Sequence, residues 1–363
     1  MKFLYSIILW VLLIPGFTAK AQETKAAGAD GPYIIYQTGK LSRFIKVDAN
    51  KKLLDTLVPF NYFKNTVVSS DNSAYRFTVD LHSYAREEAV VRAPEKIFVI
   101  SDPHANIDAF LSILKAGKII DDNLNWSYAN NHLVILGDVF DRGDDATTIF
   151  WLIYKLEKEA LAVGGKLHFL IGNHESMVLQ DNLKYVTDKY KNFATRLNVR
   201  YSELWGSNTE LGRWLRTKNT IQIIGKTLFV HGGISEGLMK SGLNITDINR
   251  IVSTNLGLSK DELKQKGGIT DTIFGSNGPL WYRGMVLNDD KYIPISQETL
   301  DNILKKYSVD RIIVGHTTLD KVTSHHSGKV ISIDAYSNNN PERHLGGAIE
   351  IVDKTNSFRI VHK

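Results

Sequence analysis

The sequence predicts an α/β fold in which short strands alternate with helices. From residue 96 onward, apolar runs of strand length alternate with stretches whose apolar residues recur at helical spacing. Five of the runs end directly in a polar cluster: KIFVIS, HLVIL, KLHFLI, TLFV and RIIV. This alternation is typical of sheets with crossover connections, whose ligand sites lie at the carboxyl ends of the strands. We therefore expect the five polar clusters to meet at one edge.

Residues 1–21 read as a secretory signal peptide. Lys2 is followed by an apolar run from Phe3 to Phe17 and by small residues around position 20, which predicts cleavage before Gln22. The run is short for a membrane span of ~20 residues and contains Pro15, so we expect no stable membrane anchor after cleavage. The chain has no cysteine, which excludes disulfides and thiol catalysis. We expect an exported bacterial protein, periplasmic or secreted.

Residues 22–92 are predicted to form a leader and a β-rich accessory segment. PYIIYQ, LSRFIKVD, LLDTLV and YRFTVDL are short β-prone runs separated by polar or Gly- and Asn-bearing turns. Residues 93–363 would form the catalytic domain, with helical insertions at about 180–225 and 236–305. Trp205 and Trp214 are expected to pack the first insertion.

The charge distribution argues against nucleic acid as a partner. The formal net charge is +5, and two of the positive charges, Lys2 and Lys20, fall within the predicted signal peptide. No stretch carries five or more like charges in succession, so the sequence offers no polyanion-binding patch. The apolar content of 43% and charged content of 23% are those of an ordinary folded protein.

The clusters at the strand ends carry side chains that bind metals. GDVFDRGDD places four carboxylates within nine residues, and such a density of like charge needs a compensating cation. Mixed nitrogen and oxygen ligands suit Mn, Fe or Zn, and six ligands suit two ions that share one carboxylate. Asp138 is the natural bridge. The candidate ligands are Asp102, His104, Asp138, Asn173, His231 and His316. Asp144 and Asp145 are instead expected to cap the following helix.

The motifs resemble those of a known family. Asp-x-His, Gly-Asp-x-x-Asp-Arg-Gly, Gly-Asn-His-Glu, His-Gly-Gly and Gly-His, in this order, are similar to the calcineurin-like metallophosphoesterases. Asp-Arg-Gly and Trp-Tyr-Arg-Gly resemble the phosphoprotein phosphatase branch, over residues 96–336. The resemblance implies a metallophosphoesterase-type β-sheet sandwich flanked by helices, with the metal ligands at the carboxyl ends of strands.

The resemblance also implies a role for each site residue. Asp102, His104 and Asp138 would hold one metal ion, and the second would be held by Asp138, Asn173, His231 and His316. His174 would be the general acid, oriented by Asp141. Arg142 and Arg283 would bind the phosphoryl oxygens, although Arg283 could instead be an ion-pair partner of the acidic edge. The family's reaction is attack on a phosphate monoester by a hydroxide that bridges the two ions.

Departures from the motifs leave the substrate open. Ser101 and Ala105 stand where the family has glycines, and the residues after Asp-Arg-Gly differ from the eukaryotic Ser/Thr enzymes. The pattern is closest to the bacterial Shewanella-like protein phosphatases. Phosphorylated proteins or peptides, on Ser/Thr or Tyr, are the expected substrates. Nucleotides or dinucleotide polyphosphates are the alternative, and a catalytically silent binding scaffold is a third reading. Oligomeric state is not predicted.

Overall fold

The computed structural model describes residues 28–336, 345–352 and 357–361. Strands and helices alternate along most of it, as the α/β prediction requires. The strands are β1 (Asp30–Tyr36), β2 (Leu41–Val47), β3 (Leu53–Pro59), β4 (Thr66–Val68), β5 (Phe77–Val79), β6 (Val90–Val91), β7 (Lys96–Ile100), β8 (His132–Ile135), β9 (Lys166–Phe169), β10 (Ile221–Ile224), β11 (Thr227–Val230), β12 (Arg311–Val314), β13 (Thr323–His325), β14 (Val330–Ser332), β15 (Ala348–Val352) and β16 (Ser357–Val361). The helices are α1 (Ile107–Ala116), α2 (Ala146–Ala162), α3 (Asn173–Leu179), α4 (Asp188–Leu197), α5 (Glu210–Leu215), α6 (Glu236–Lys240), α7 (Ile245–Asn255), α8 (Lys260–Lys266), α9 (Gly268–Phe274) and α10 (Gln297–Tyr307).

Two sheets pack against each other at the centre of the molecule. One has the strand order β16-β15-β7-β8-β9 and the other the order β13-β14-β12-β11-β10-β6. Val99 and Val134 of the first sheet share a buried apolar cluster with Phe229 and Ile313 of the second. The alternate side chains of β7 and β8, such as Phe98, belong to a larger core that includes α1 and α2. The predicted β-sheet sandwich flanked by helices is confirmed.

The strand directions bring the five polar clusters to one edge. β7, β8 and β9 are mutually parallel, and β11 is parallel to β12. The loops that follow these strands are joined by backbone hydrogen bonds. The Asp102 and His104 N–H groups donate to the carbonyls of Gly137 and Asp138, at 3.2 and 2.9 Å. The Gly315 N–H donates to the His231 carbonyl at 2.9 Å, which links the two loops of the second sheet.

The N-terminal segment is rich in β-structure, as predicted. β1, β2 and β3 form an antiparallel sheet that packs on α2, where the Trp151 indole N–H donates to the Pro32 carbonyl at 2.8 Å. The Tyr33 hydroxyl shares a hydrogen bond of 2.8 Å with the Thr147 hydroxyl. Farther along, β6 pairs in parallel with β10 and becomes the edge strand of the six-stranded sheet. The segment therefore shares its core with the rest of the protein.

Helices are concentrated where the two insertions were expected. Residues 180–225 contain α4, a 3-10 helix at Tyr201–Trp205 and α5, and α6 to α10 occupy the second insertion and extend two residues beyond it, to Tyr307. Trp205 and Trp214 are fully buried, as expected. The division into domains stays a prediction, and the predicted signal peptide lies outside the described residues. None of the helices in the described part of the chain has the length and apolar character needed to cross a membrane.

Candidate metal centre

The backbone of the site edge is held in the left-handed conformation at several residues that carry functional groups. Asp102 has a φ of 53°, His104 of 43°, Asp138 of 58° and His316 of 61°. Aspartate and histidine tolerate this conformation better than most residues. A tight left-handed turn directly after a strand points the side chain back over the end of the sheet. The buried side chains of all four residues converge there.

Glu175 organises the loop after β8, a role that the motifs do not predict. Its carboxylate is fully buried and accepts hydrogen bonds from the N–H groups of Asp138, Val139 and Gly172, each at 2.8 Å. A fourth, from Phe140, is 3.4 Å long. Burial and the nearby Asp138 carboxylate raise the pKa of Glu175 to about 7. Its place in Gly-Asn-His-Glu, three residues after a helix N-cap, is the one sequence signal that pointed to it.

Asp138 is the centre of the cluster. Its Oδ1 accepts the backbone N–H of His174 at 2.9 Å, and its Oδ2 lies 3.2 Å from His231 Nε2 and 3.8 Å from His174 Nε2. Asp138 takes part in two buried sets of side chains, each with ligand atoms within 4.8 Å of one another. One set adds His104 and His174, and the other adds His231 and His316. This is the arrangement expected of a carboxylate shared by two ions.

The second set contains the two imidazoles predicted for one metal ion, and the predicted Asn173 amide lies beside it. His231 Nδ1 donates to the Leu136 carbonyl at 2.6 Å, which turns Nε2 toward the site. Nε2 then lies 2.8 Å from Asn173 Oδ1. His316 Nε2 is buried and has no hydrogen-bond partner. A buried ring nitrogen without a partner is unfavourable unless a cation or proton donor meets it, so this set fits a metal ion.

The first set differs in part from the ligands that the resemblance implied. His104 Nδ1 bonds to the Phe140 carbonyl at 3.0 Å, so its Nε2 faces the site. Asp102 is buried beside it, but its Oδ1 is 4.0 Å from His104 Nε2. Its Oδ2 accepts the Ser101 hydroxyl and the His316 N–H. These bonds tie Asp102 to the loops after β7 and β12, and the buried set around His104 includes His174 rather than Asp102.

The charges within the cluster depend on one another. Burial raises the pKa of Asp138, but the surrounding imidazoles of His231 and His174 outweigh it and hold the pKa well below the usual value. The Asp138 carboxylate in turn overcomes the effect of burial on His231 and raises its pKa to about 9. Burial and the neighbouring His231 hold the pKa of His316 well below its usual value. A metal ion would replace the proton on His231, because ligation requires neutral imidazole.

His174 and Asp141 form a close pair, as the resemblance implied. His174 Nδ1 and Asp141 Oδ2 are 2.5 Å apart. Burial opposes the charged imidazole, but the carboxylates of Asp138 and Asp141 outweigh it and raise the pKa of His174. Because Nδ1 is bonded to Asp141, Nε2 is the nitrogen that faces the centre. His174 can therefore carry a proton at Nε2 and release it toward a bound group.

The two predicted phosphate-binding arginines lie beside different parts of the cluster. Arg283 Nη1 donates to the backbone carbonyl of His316 at 2.6 Å. Arg142 directly follows Asp141, and its guanidinium carbon lies 5.3 Å from the ring centroid of Tyr185. Arg142 is exposed and Arg283 is half-buried, so both guanidinium groups remain accessible. The structure brings all ten predicted site residues to one edge of the sandwich.

A buried imidazole–carboxylate cluster at the strand ends of two packed sheets is suited to metal-dependent hydrolysis. The sequence profile of the calcineurin-like phosphoesterase family matches residues 95–319. The chain belongs to this family, which confirms the predicted assignment to a class of phosphoester hydrolases.

Proteins similar to this chain include phosphatases named after Shewanella, as the motifs predicted. Shewanella-like protein phosphatase 1 of Plasmodium berghei (strain Anka) is 31% identical over 237 residues, which are 65% of this chain and 64% of that relative. This chain thus spans less than two thirds of that relative's length. Shewanella-like protein phosphatase 2 of Arabidopsis thaliana is 25% identical over 272 residues, 62% of this chain and 67% of the relative. A crystal structure of a cold-active protein-tyrosine phosphatase from a psychrophilic Shewanella species is 31% identical, with a TM-score of 0.78 over 92% of this chain and 99% of that chain.

Proposed function

We propose that this chain is a dinuclear-metal phosphatase that hydrolyses phosphate monoesters on phosphorylated proteins or peptides. The observation that carries the proposal is the position of Asp138 in two buried ligand sets at once. The pairing of His174 with Asp141 and the presence of two accessible arginines support it further. The similarity to phosphatases of the Shewanella-like group favours phosphoprotein over other phosphoester substrates.

The side chains of the site have complementary tasks in this reaction. Bound metal ions would supply Lewis-acid chemistry, which neutralises phosphoryl charge and makes water nucleophilic. Asp138 would be shared between the ions, and His174 would be left to carry a proton. The other ligands would be Asp102, His104, Asn173, His231 and His316. Arg142 and Arg283 would bind the phosphoryl oxygens, for which a planar guanidinium offers paired N–H donors. His174 would protonate the leaving oxygen from Nε2, while Asp141 holds the proton on Nδ1 and fixes the ring.

A substrate panel on the purified protein tests this function. With Mn(II), we expect hydrolysis of p-nitrophenyl phosphate and of at least one phosphopeptide. Asp138→Asn should lower kcat/KM by at least about 100-fold, because it removes a central charge of the site. The matched control is Asp301→Asn, which makes the same change at an exposed ion pair with Lys329 and should leave activity unchanged.

The same panel separates the alternatives. A preference of several orders of magnitude for dinucleotide polyphosphates would replace the phosphopeptide assignment with the nucleotide one. Absence of hydrolysis on every substrate, together with absence of bound metal in the native protein, would support the silent scaffold. Elemental analysis of the same preparation would identify the metal, for which Mn, Fe and Zn are our candidates.

We also propose that the protein is exported after cleavage of residues 1–21. The support is the sequence of the segment, with its positive start, apolar run and small residues before Gln22. Amino-terminal sequencing of the protein from the periplasm or the medium should begin at Gln22. Recovery of the full-length chain in the membrane fraction would contradict the proposal.

A further inference from the structure

Tyr185 connects two functional side chains of the site, although it lies outside every motif. It belongs to the loop between α3 and α4. Its ring centroid is 5.4 Å from that of His174, with the planes tilted by 44°. The Arg142 guanidinium carbon lies 5.3 Å from the same ring centroid. The Tyr185 carbonyl also accepts the Arg142 backbone N–H at 3.0 Å. The residue therefore contacts Arg142 through both its ring and its backbone.

The contact restricts a side chain that would otherwise be mobile. Arg142 is exposed, and a long exposed side chain loses much rotamer freedom when it binds an anion. A cation held within about 6 Å of an aromatic ring is attracted by the ring and has fewer rotamers to lose. Tyr185 thus holds the Arg142 guanidinium near the position where a phosphoryl group would bind.

The ring of Tyr185 also contacts His174, the residue that would protonate the leaving oxygen. His174 Nδ1 is bonded to Asp141, so a leaving oxygen takes its proton from Nε2. A substituent on that oxygen would lie close to the His174 ring, and Tyr185 is one of the rings that contact His174. Tyr185 is exposed, with 37% of the residue accessible, so its ring can contact a ligand. An aromatic group gains a stacking contact there that an alkyl group does not.

We propose that Tyr185 is a substrate-positioning residue that orients Arg142 and favours phosphoryl ligands with an aromatic substituent. Esters of phenols, such as phosphotyrosine, would then be preferred over those of serine and threonine. This inference rests on the proposed function, since it assumes that a phosphoryl group binds beside Arg142. Lys184 lies over the same ring, with its Nζ 4.7 Å from the centroid, and provides a control for loss of a neighbouring cation.

A binding experiment tests the aromatic preference without catalysis. Phenylphosphonate and cyclohexylphosphonate are similar in size, but only the first is flat, and the affinities are compared after correction to the dianion of each. By titration calorimetry of the Mn-loaded protein, phenylphosphonate should bind about fivefold more tightly, within the range of aromatic pair contacts. The ratio should fall below about twofold in Tyr185→Leu and in Tyr185→Gln, and persist in Tyr185→Phe and Lys184→Gln. Equal ratios in the parent and the ring-free variants would overturn the inference.

A double-mutant cycle tests whether Tyr185 acts through Arg142. Tyr185→Leu should weaken the binding of cyclohexylphosphonate, which has no aromatic ring for Tyr185 to contact, about tenfold. In an Arg142→Ala background the same change should have less than a twofold effect. Additive effects would refute the positioning role. If the protein hydrolyses no ester but keeps the phenyl preference, the proposed function fails and the inference about Tyr185 stands.

Discussion

Replacing Glu175 by glutamine tests whether a buried carboxylate organises the metal site. Oε2 accepts the N–H groups of Asp138 and Gly172, and Oε1 accepts those of Val139 and Phe140. The amide that replaces the carboxylate has nearly the same shape, but its NH₂ group donates and cannot accept. Whichever way the amide turns, two backbone N–H groups lose their acceptor and face another donor.

The expected loss of unfolding free energy in Glu175→Gln follows from the number of hydrogen bonds lost. A hydrogen bond to a charged group contributes about 1.5–3 kcal/mol, so two losses correspond to about 3–6 kcal/mol of unfolding free energy. Burial and Asp138 raise the pKa of Glu175 to about 7, so loss of its charge relieves some repulsion. We therefore expect the lower half of this range. At about 2 °C per kcal/mol for a chain of this size, Tm should fall by about 6–9 °C.

Thermal unfolding and metal titration measure the outcome. Because the altered bonds include the backbone of Asp138, metal affinity should fall by about 10–100-fold. Glu236→Gln is the matched control, since Glu236 is an exposed partner of Lys240 and its loss should change stability by less than about 0.5 kcal/mol. A Glu175→Gln protein with the same Tm and the same affinity for Mn as the parent protein would refute the reasoning.

Three further perturbations follow from single residues. Ala105 has a φ of 53°, a conformation that glycine adopts without strain, so Ala105→Gly should raise the unfolding free energy by about 1 kcal/mol in urea titration. The control is Ala109→Gly within α1, which should lower the unfolding free energy by about as much because glycine is a poor helix former. Burial and His168 lower the pKa of His132 to about 3, so the unfolded chain binds a proton below pH ~6.5 that the folded chain does not. Stability should therefore fall as the pH drops from about 6.5 toward 3, and His132→Asn should flatten this loss in Tm measured against pH. Removing bound metal with EDTA should lower the Tm of the parent protein more than the Tm of His316→Ala. A bound metal ion stabilises the folded protein, and the variant, which lacks one candidate ligand, should bind less metal.

Much of the fold could be predicted because its strands leave strong local patterns. The five apolar runs that precede the polar clusters each contain a strand of four or five residues. β6 could not be found this way, because it has two residues and pairs with β10 about 130 positions later. Pairing at that separation is decided by the packing of the N-terminal segment on the core. Local sequence carries no signal for it.

The capping prediction for the acidic pair after Asp-Arg-Gly was wrong for a tertiary reason. Asp145 occupies the N-cap position of α2, but its side chain makes no capping bond. Asp144 Oδ1 instead accepts the Thr187 hydroxyl at 2.6 Å, from the turn before α4. The Asp144 carboxylate therefore bonds to a hydroxyl distant in sequence instead of the backbone N–H groups of α2. The spacing of residues in the sequence could not reveal this contact.

Within the site, the residues that carry the chemistry could be predicted, but the residues that hold them in place could not. The motifs name side chains that bind metals, and such side chains are recognisable from chemistry alone. Glu175 acts on backbone N–H groups of another loop, and Tyr185 acts through a ring placed by the path of its own loop. Both depend on where loops run relative to one another. A glutamate and a tyrosine in a sequence do not distinguish these roles from ordinary surface or core positions.

The site is formed with a strained backbone before any ion binds, and hydrogen bonds between its loops offset the cost. Six of the predicted site residues have a φ between 43° and 73°: Asp102, His104, Asp138, Asp141, Arg142 and His316. The left-handed conformation costs most residues about 1 kcal/mol or more and aspartate or histidine less, so the six residues together still cost several kcal/mol, against the 5–15 kcal/mol by which domains are usually stable. The bonds between loops, above all those to the Glu175 carboxylate, offset this cost. Since folding itself holds the side chains at convergent positions, little reorganisation should remain for metal binding, and loss of Glu175 should weaken metal affinity more than loss of an exposed carboxylate.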